Sequence, residues 1–226
     1  MNFYGLNLDE QQEAFVKAVL NNDKTIVFCN AVAGTGKTTL AMGAANLLVK
    51  DKRHNHNGII YIVSPYGEGR QGYLPGDLTE KSEVYFEPAY QAMVEVGLNP
   101  NTDIYYEPLA GKKGSDHFGK KPSDGFVKLI THTYLRGNNT KDKVVILDEA
   151  QNFTVSELKK VLTRCHDTCK VIVIGHTGQV DITGKSGFAR YIEHFRGQER
   201  AEVCELTINY RGWLSQFADT LPEVRL

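Results

Sequence analysis

Nowhere in this chain do about 18 apolar residues stand together, so a membrane-spanning helix is not expected. The opening "MNFYGLNLDEQQ" has neither a basic start nor an apolar stretch, and an export signal is not expected there. Excess charge is absent too: 26 Lys and Arg against 27 Asp and Glu leave a net charge of -1. Proteins that hold nucleic acid over a whole surface are strongly basic, so any such contact here must be local. Only four cysteines occur (Cys29, Cys165, Cys169 and Cys204), none in a C-x-x-C pair, which suits a reduced, cytoplasmic protein. His166 lies between Cys165 and Cys169, but no second ligand pair stands elsewhere, and a structural role is expected for all three. Internal repeats and low-complexity tails are also missing.

What is present is an ordinary folded composition, 41% hydrophobic and 23% charged, in 226 residues. That length builds one full core, so residues 1–226 are expected to form a single domain. "NLDEQQEAFVKAVLNND" reads as a helix with Asn7 as N-cap and Glu10 completing a capping box. Near-continuous apolar runs at 25–29, 58–63, 126–130, 143–148 and 170–175 read as strands covered on both faces, and "AEVCELT" as a last one. Helical patterns such as "TTLAMGAANLLVK" and "TVSELKKVLTRC" lie between several of them. The expected architecture is a three-layer α/β fold with a mostly parallel sheet. Residues 64–124 break the alternation and read as an insertion or excursion at the sheet's edge.

Between the first strand and the next helix stands "AVAGTGKTT". A chain leaving a strand for a helix exposes free backbone N–H groups where the helix dipole also favours anions. Ala33, Gly34, Thr35 and Gly36 can wrap a phosphate chain, with Lys37 on the outer phosphates, Thr38 on Mg²⁺ and Thr39 beside it. Ala31 stands where the usual pattern opens with glycine, which costs little unless that residue needs positive φ.

An acidic partner follows in "VVILDEAQN". Four apolar residues carry Asp148 to the end of a strand expected to neighbour the loop, where it can hold Mg²⁺, while Glu149 can orient or deprotonate the attacking water. After "KVIVIG" comes the turn "HTGQVD", in which Gln179 is placed to sense the terminal phosphate and His176 to face it. Gln11 and Gln12 precede the first strand, and an amide there matches adenine's edge.

With these pieces in place, the chain resembles the PhoH family of P-loop ATPases, relatives of superfamily 1 helicases, from about Gln12 to Arg211. The most specific likeness is "GYLPGDLTEK" with "YFEPAYQAM"; "LRG" at 135–137, "LDEAQN" and "KSGF" are similar to further family motifs. Ala31, Ser64 and His176 depart from the family pattern, the last replacing an Asp beside the phosphate-sensing Gln179. "ELTINYRGW" resembles the helicase Leu-x-x-Asn-Tyr-Arg pattern and makes Arg211 the candidate arginine finger.

The resemblance implies a three-layer P-loop NTPase core of the RecA-like kind, ATP and Mg²⁺ as ligands, and hydrolysis coupled to RNA or single-stranded DNA. A superfamily 1 helicase places its nucleotide between two cores, and this chain has length for one. An arginine from a neighbouring copy is therefore expected to complete the site, in a homo-oligomer such as a hexameric ring. The local nucleic-acid candidates are Lys112, Lys113, Lys120 and Lys121, with His117 and Phe118 between them. Two alternatives stay open: a nucleotide-gated binding module with little turnover, and a thymidine-kinase-like phosphotransferase, although the paired C-x-x-C zinc ligands typical of the latter are absent.

Overall fold

The computed structural model describes residues 2–65, 84–105, 125–134, 139–179, 182, 185–218 and 220. Runs rich in Val and Ile present apolar side chains on both faces, so their backbone edges pair with neighbouring strands while helices cover the faces. Six do so here: β3 (Ile26–Ala31), β4 (Ile59–Val63), β5 (Val127–Thr131), β6 (Val144–Leu147), β7 (Lys170–Gly175) and β8 (Ala201–Leu206). They form one parallel sheet in the order β5-β4-β6-β7-β3-β8. β6 and β7 are buried along their whole length, as central strands of a covered sheet must be.

One expectation changes at this point. The acidic strand β6 does not neighbour β3; β7 pairs with both and lies between them. The loop after β3 reaches β6 only because α2 (Lys37–Lys50) leans back over the sheet on its way to β4.

On one face lie α1 (Glu10–Leu20), α2 and α3 (Glu87–Glu95), sharing a core that includes Phe15, Val19, Leu40, Met42, Leu48, Ala89 and Met93. After the short α4 (Pro100–Asp103), the opposite face carries α5 (Val155–Leu162) and α6 (Phe188–Phe195), which bury Leu158, Val161, Phe188 and Ile192. A further short helix, α7 (Trp213–Ala218), buries none of its residues. Among the described residues no helix is long and apolar enough to cross a membrane.

The first helix starts later than expected. Residues Asn2–Phe3 (β1) and Leu6–Asn7 (β2) pair antiparallel through a turn with positive φ at Tyr4 and Gly5. Asn7 is thereby spent in the hairpin, and Asp9 caps instead: its carboxylate accepts from Gln12 N at 2.8 Å while Gln12 Oε1 accepts from Asp9 N at 3.2 Å. The expected excursion at 64–124 also supplies more than an edge. Its α3 packs on α2 and buries Ala89, Ala92 and Met93 in the main core. The stretch "GYLPGDLTEK", "LRG" and the lysine-rich loop at 112–121 lie outside the described residues.

At α5 the cap is Thr154, whose hydroxyl accepts from Glu157 N at 3.3 Å while the Glu157 carboxylate accepts from Thr154 N at 2.8 Å. Replacing Thr154 by Ala removes one side of that box and is expected to cost about 1 kcal/mol, read as a lower urea midpoint at unchanged slope. The cysteines behave as structural residues: Cys165 Sγ faces Val161 O at 3.6 Å and Cys169 Sγ faces Thr140 O at 3.2 Å. Among the described residues no cluster of His, Cys, Asp or Glu is arranged to hold a metal ion.

Candidate functional site

Beyond β3 the chain turns through 32–36 and enters α2. Gly34 at φ +75° and Gly36 at φ +77° hold left-handed conformations that side chains resist, so both glycines are required by the turn itself. Ala31 is different. It is the last, buried residue of β3, paired with Leu206, and it is not among the non-glycine residues of positive φ. The missing opening glycine therefore leaves the loop's shape intact.

Two of the loop's carbonyls are tied to the scaffold and a third to the loop's own Thr35. Val32 O accepts from Thr35 Oγ1 at 3.2 Å, Gly34 O from Tyr210 N at 2.9 Å, and Thr35 O from Gln12 Nε2 at 3.0 Å. Gly36 caps α2 without a side-chain bond, so the first turn, Lys37 to Thr39, keeps the free N–H groups that every helix start has. Free N–H groups at such a helix start can cradle an anion.

Opposite the cradle, the carboxylates arrive from β6. Asp148 is 1% exposed; its Oδ2 accepts from Thr38 Oγ1 at 2.8 Å and from Tyr61 OH at 2.6 Å, and its Oδ1 from Glu149 N at 2.7 Å. Burial pushes the Asp148 carboxyl up and the Glu149 charge adds to that, while Lys37 and the bonds from Tyr61 and Thr38 pull it back down. Glu149 stands half in solvent with φ 50° and ψ 45°, an uncommon left-handed backbone for a non-glycine residue. Its Oε1 lies 3.5 Å from Lys37 Nζ. Two segments 110 residues apart thus share one crevice, and its hard oxygens from Thr38 and Asp148 suit Mg²⁺ well.

A third element closes the crevice. Gln151, 1% exposed, donates from Nε2 to Glu149 Oε2 at 2.6 Å and accepts at Oε1 from His176 N at 3.0 Å. The turn after β7 is thereby clamped to the acidic pair, and Thr177 N donates to Asn30 Oδ1 at 3.0 Å, which fixes the turn to β3 as well. Gln179 closes this turn with its N–H on His176 O at 3.2 Å, and the His176 Nδ1 atom is buried without a hydrogen-bond partner.

Of the amides offered for adenine, neither is idle. Gln12 divides its side chain between Asp9 N and Thr35 O, and Gln11 binds Thr207 N at 2.9 Å and the Thr207 hydroxyl at 3.1 Å. Both brace the loop and the end of β8 as the chain stands. Arg211 is also placed differently from the expectation of a finger supplied by a neighbour. Its Cγ would lie 2.9 Å from a Cβ added to Gly34, and Asn209 Oδ1 2.3 Å from it, so the exposed Arg211 emerges against its own chain's loop. Sequence reasoning missed Tyr61, Gln151 and the contact of Thr39 Oγ1 with Glu95 Oε2 at 2.6 Å. The first had a signal: it is the one residue with a polar tip in the apolar run "IIYIV".

The chain is similar to known proteins in sequence and in fold. A family model described as PhoH-like protein matches residues 7–210. A PhoH-like protein of Bacillus subtilis is 34% identical over 199 residues, 86% of this chain and 56% of that one. Protein PhoH of Escherichia coli is 31% identical over 202 residues, again 86% of this chain and 51% of the relative. The chain thus spans about half the length of the curated relatives it matches. In fold it is similar to the large terminase of bacteriophage HK97, with a TM-score of 0.52 at 18% identity over 89% of this chain and 39% of the other.

Proposed function

The chain belongs to the PhoH-like family, and from that premise we propose that it is a Mg²⁺-dependent ATPase whose turnover is coupled to binding or remodelling RNA or single-stranded DNA. The carrying observation is the shared crevice, with Thr38 at 2.8 Å from Asp148 and Lys37 at 3.5 Å from Glu149. In this reading Gly34 to Thr39 cradle the phosphates through backbone N–H groups, and Lys37 leaves Glu149 to meet the terminal phosphate. Thr38 and Asp148 would hold Mg²⁺, which neutralises charge on the phosphate oxygens. Glu149, its carboxylate steadied by Gln151, takes the proton of the attacking water, and Gln179 registers the loss of the terminal phosphate. Gln11 and Gln12 reach adenine by exchanging the bonds they make in the structure, and Arg211 stabilises charge in the transition state.

Lysines 112, 113, 120 and 121 with His117 and Phe118 remain the proposed nucleic-acid contact, and salt-sensitive binding weakened by reversing their charges is the expected result. A homo-oligomer with the nucleotide near the subunit boundary is also proposed. It is supported by Trp213, Leu214 and Phe217, which are 72%, 74% and 64% exposed just beyond Arg211 and are too apolar to be left facing water without a cost. A monomer in sedimentation that retains full hydrolysis overturns the assembly.

The function itself is tested by measuring ATP hydrolysis with and without RNA or single-stranded DNA for the wild type, Lys37→Ala and Glu149→Gln. Stimulation by the nucleic acid that both substitutions abolish supports the proposal. Phosphate transfer to a nucleoside supports the kinase alternative, and tight ATP binding with no turnover supports a binding module.

A further inference from the structure

β4 is an apolar strand with one exception. In "IIYIV" the ring of Tyr61 is packed into the core at 1% exposure, but its hydroxyl reaches out of the apolar layer to Asp148 Oδ2 at 2.6 Å. A phenylalanine would fill the same space, so packing alone does not call for tyrosine. A buried hydroxyl with no partner is costly, and among the described residues the acceptor of this one is the carboxylate of the crevice. A phenol facing a carboxylate can only donate, and Tyr61 is the donor of this bond.

The geometry at Asp148 shows what that donor does. Oδ2 takes two hydroxyls, from Tyr61 and Thr38, and Oδ1 takes the Glu149 N–H, so the carboxylate plane is fixed from three elements: β4, α2 and the turn after β6. Thr38 is the residue whose oxygen the metal would claim, which changes its contribution to Asp148 when the site is loaded. Tyr61 is not drawn upon in this way. It is buried behind the carboxylate, on the neighbouring strand, where Asp148 N also donates to Ile62 O at 3.0 Å.

We propose that Tyr61 is a positioning residue for the Mg²⁺ site, holding the Asp148 carboxylate in the one orientation that presents it to a metal shared with Thr38. This rests on the ATPase reading and adds a residue and a role to it. Tyr61 touches neither nucleotide nor metal; it acts through Asp148.

The test is the coupling between metal and nucleotide. Binding of a fluorescent, non-hydrolysed ATP analogue is titrated in Mg²⁺ and again in EDTA, for the wild type and Tyr61→Phe. The proposal expects the EDTA affinity to be unchanged and the Mg²⁺ enhancement to fall on the order of tenfold, the scale of a lost hydrogen bond to a charged group. Ile62→Val, a packing change on the same strand, is expected to leave the enhancement alone. If Tyr61→Phe fails to fold, Tyr61→Met carries the same comparison. An unchanged enhancement overturns the proposal, as does an equal loss with and without Mg²⁺, which marks Tyr61 as a packing residue only. A wild type whose binding ignores Mg²⁺ overturns the ATPase reading first, so the two failures are distinguishable.

Discussion

Glu149→Gln is expected to lower ATP hydrolysis by about 10² to 10⁴, the range that a general base contributes, while leaving Mg²⁺ and ATP bound at least as tightly as in the wild type. The loss follows from chemistry, since an amide takes no proton from water. Retained binding follows from the structure. Gln at 149 still offers an oxygen to Gln151 Nε2, so the clamp that reaches His176 N through Gln151 survives. The lysine, however, is released from its partner at 3.5 Å, and the charge that repels a triphosphate is gone from the rim of the crevice. Single-turnover hydrolysis and a fluorescent-nucleotide titration separate the two effects. A variant that hydrolyses normally removes Glu149 from the chemistry, and one that no longer binds shows that its charge holds the crevice together.

The parts of this site that could be read from the sequence are those in which local backbone dictates chemistry. Gly34 and Gly36 sit at positive φ because a strand must turn sharply into a helix there, and that requirement leaves its mark in adjacent residues. The apolar run "VVIL" delivers Asp148 to a strand end for a similar local reason. Strand order has no such mark. β7 follows β6 in the chain and then intervenes between β6 and β3, a choice made by packing across the sheet, so the acidic strand lies one place further away than its chemistry suggests. Helix α6 was equally legible in principle, since Phe188, Ile192 and Phe195 repeat at helical spacing, but its apolar face is short and opens on a glycine. The roles of Gln11 and Gln12 as braces depend on what comes to lie beside them. Thr207 is 196 residues away from Gln11, and no pattern near either residue announces that contact.

Arg211→Ala is the second substitution with a large expected effect: a fall in hydrolysis of about 10³, the lower end of what an arginine finger supplies, with nucleotide affinity changed far less. The position of the side chain decides how it must be tested. Tyr210 N is tied to Gly34 O at 2.9 Å and Asn209 Oδ1 accepts from Arg211 N at 2.8 Å, so the backbone that carries Arg211 is fastened to the phosphate loop of its own chain. An arginine held in this way is expected to serve its own nucleotide, even in an assembly. Mixing Arg211→Ala protein with Lys37→Ala protein is therefore expected to restore no hydrolysis: one subunit lacks the finger, the other lacks the lysine, and neither site is completed by its neighbour. Recovery in the mixture, at subunit ratios that allow exchange, would place the finger across the boundary and require the segment after β8 to swing away from Gly34. The same mixture in sedimentation shows whether the two variants assemble together, so an absence of recovery is read only where mixed oligomers form.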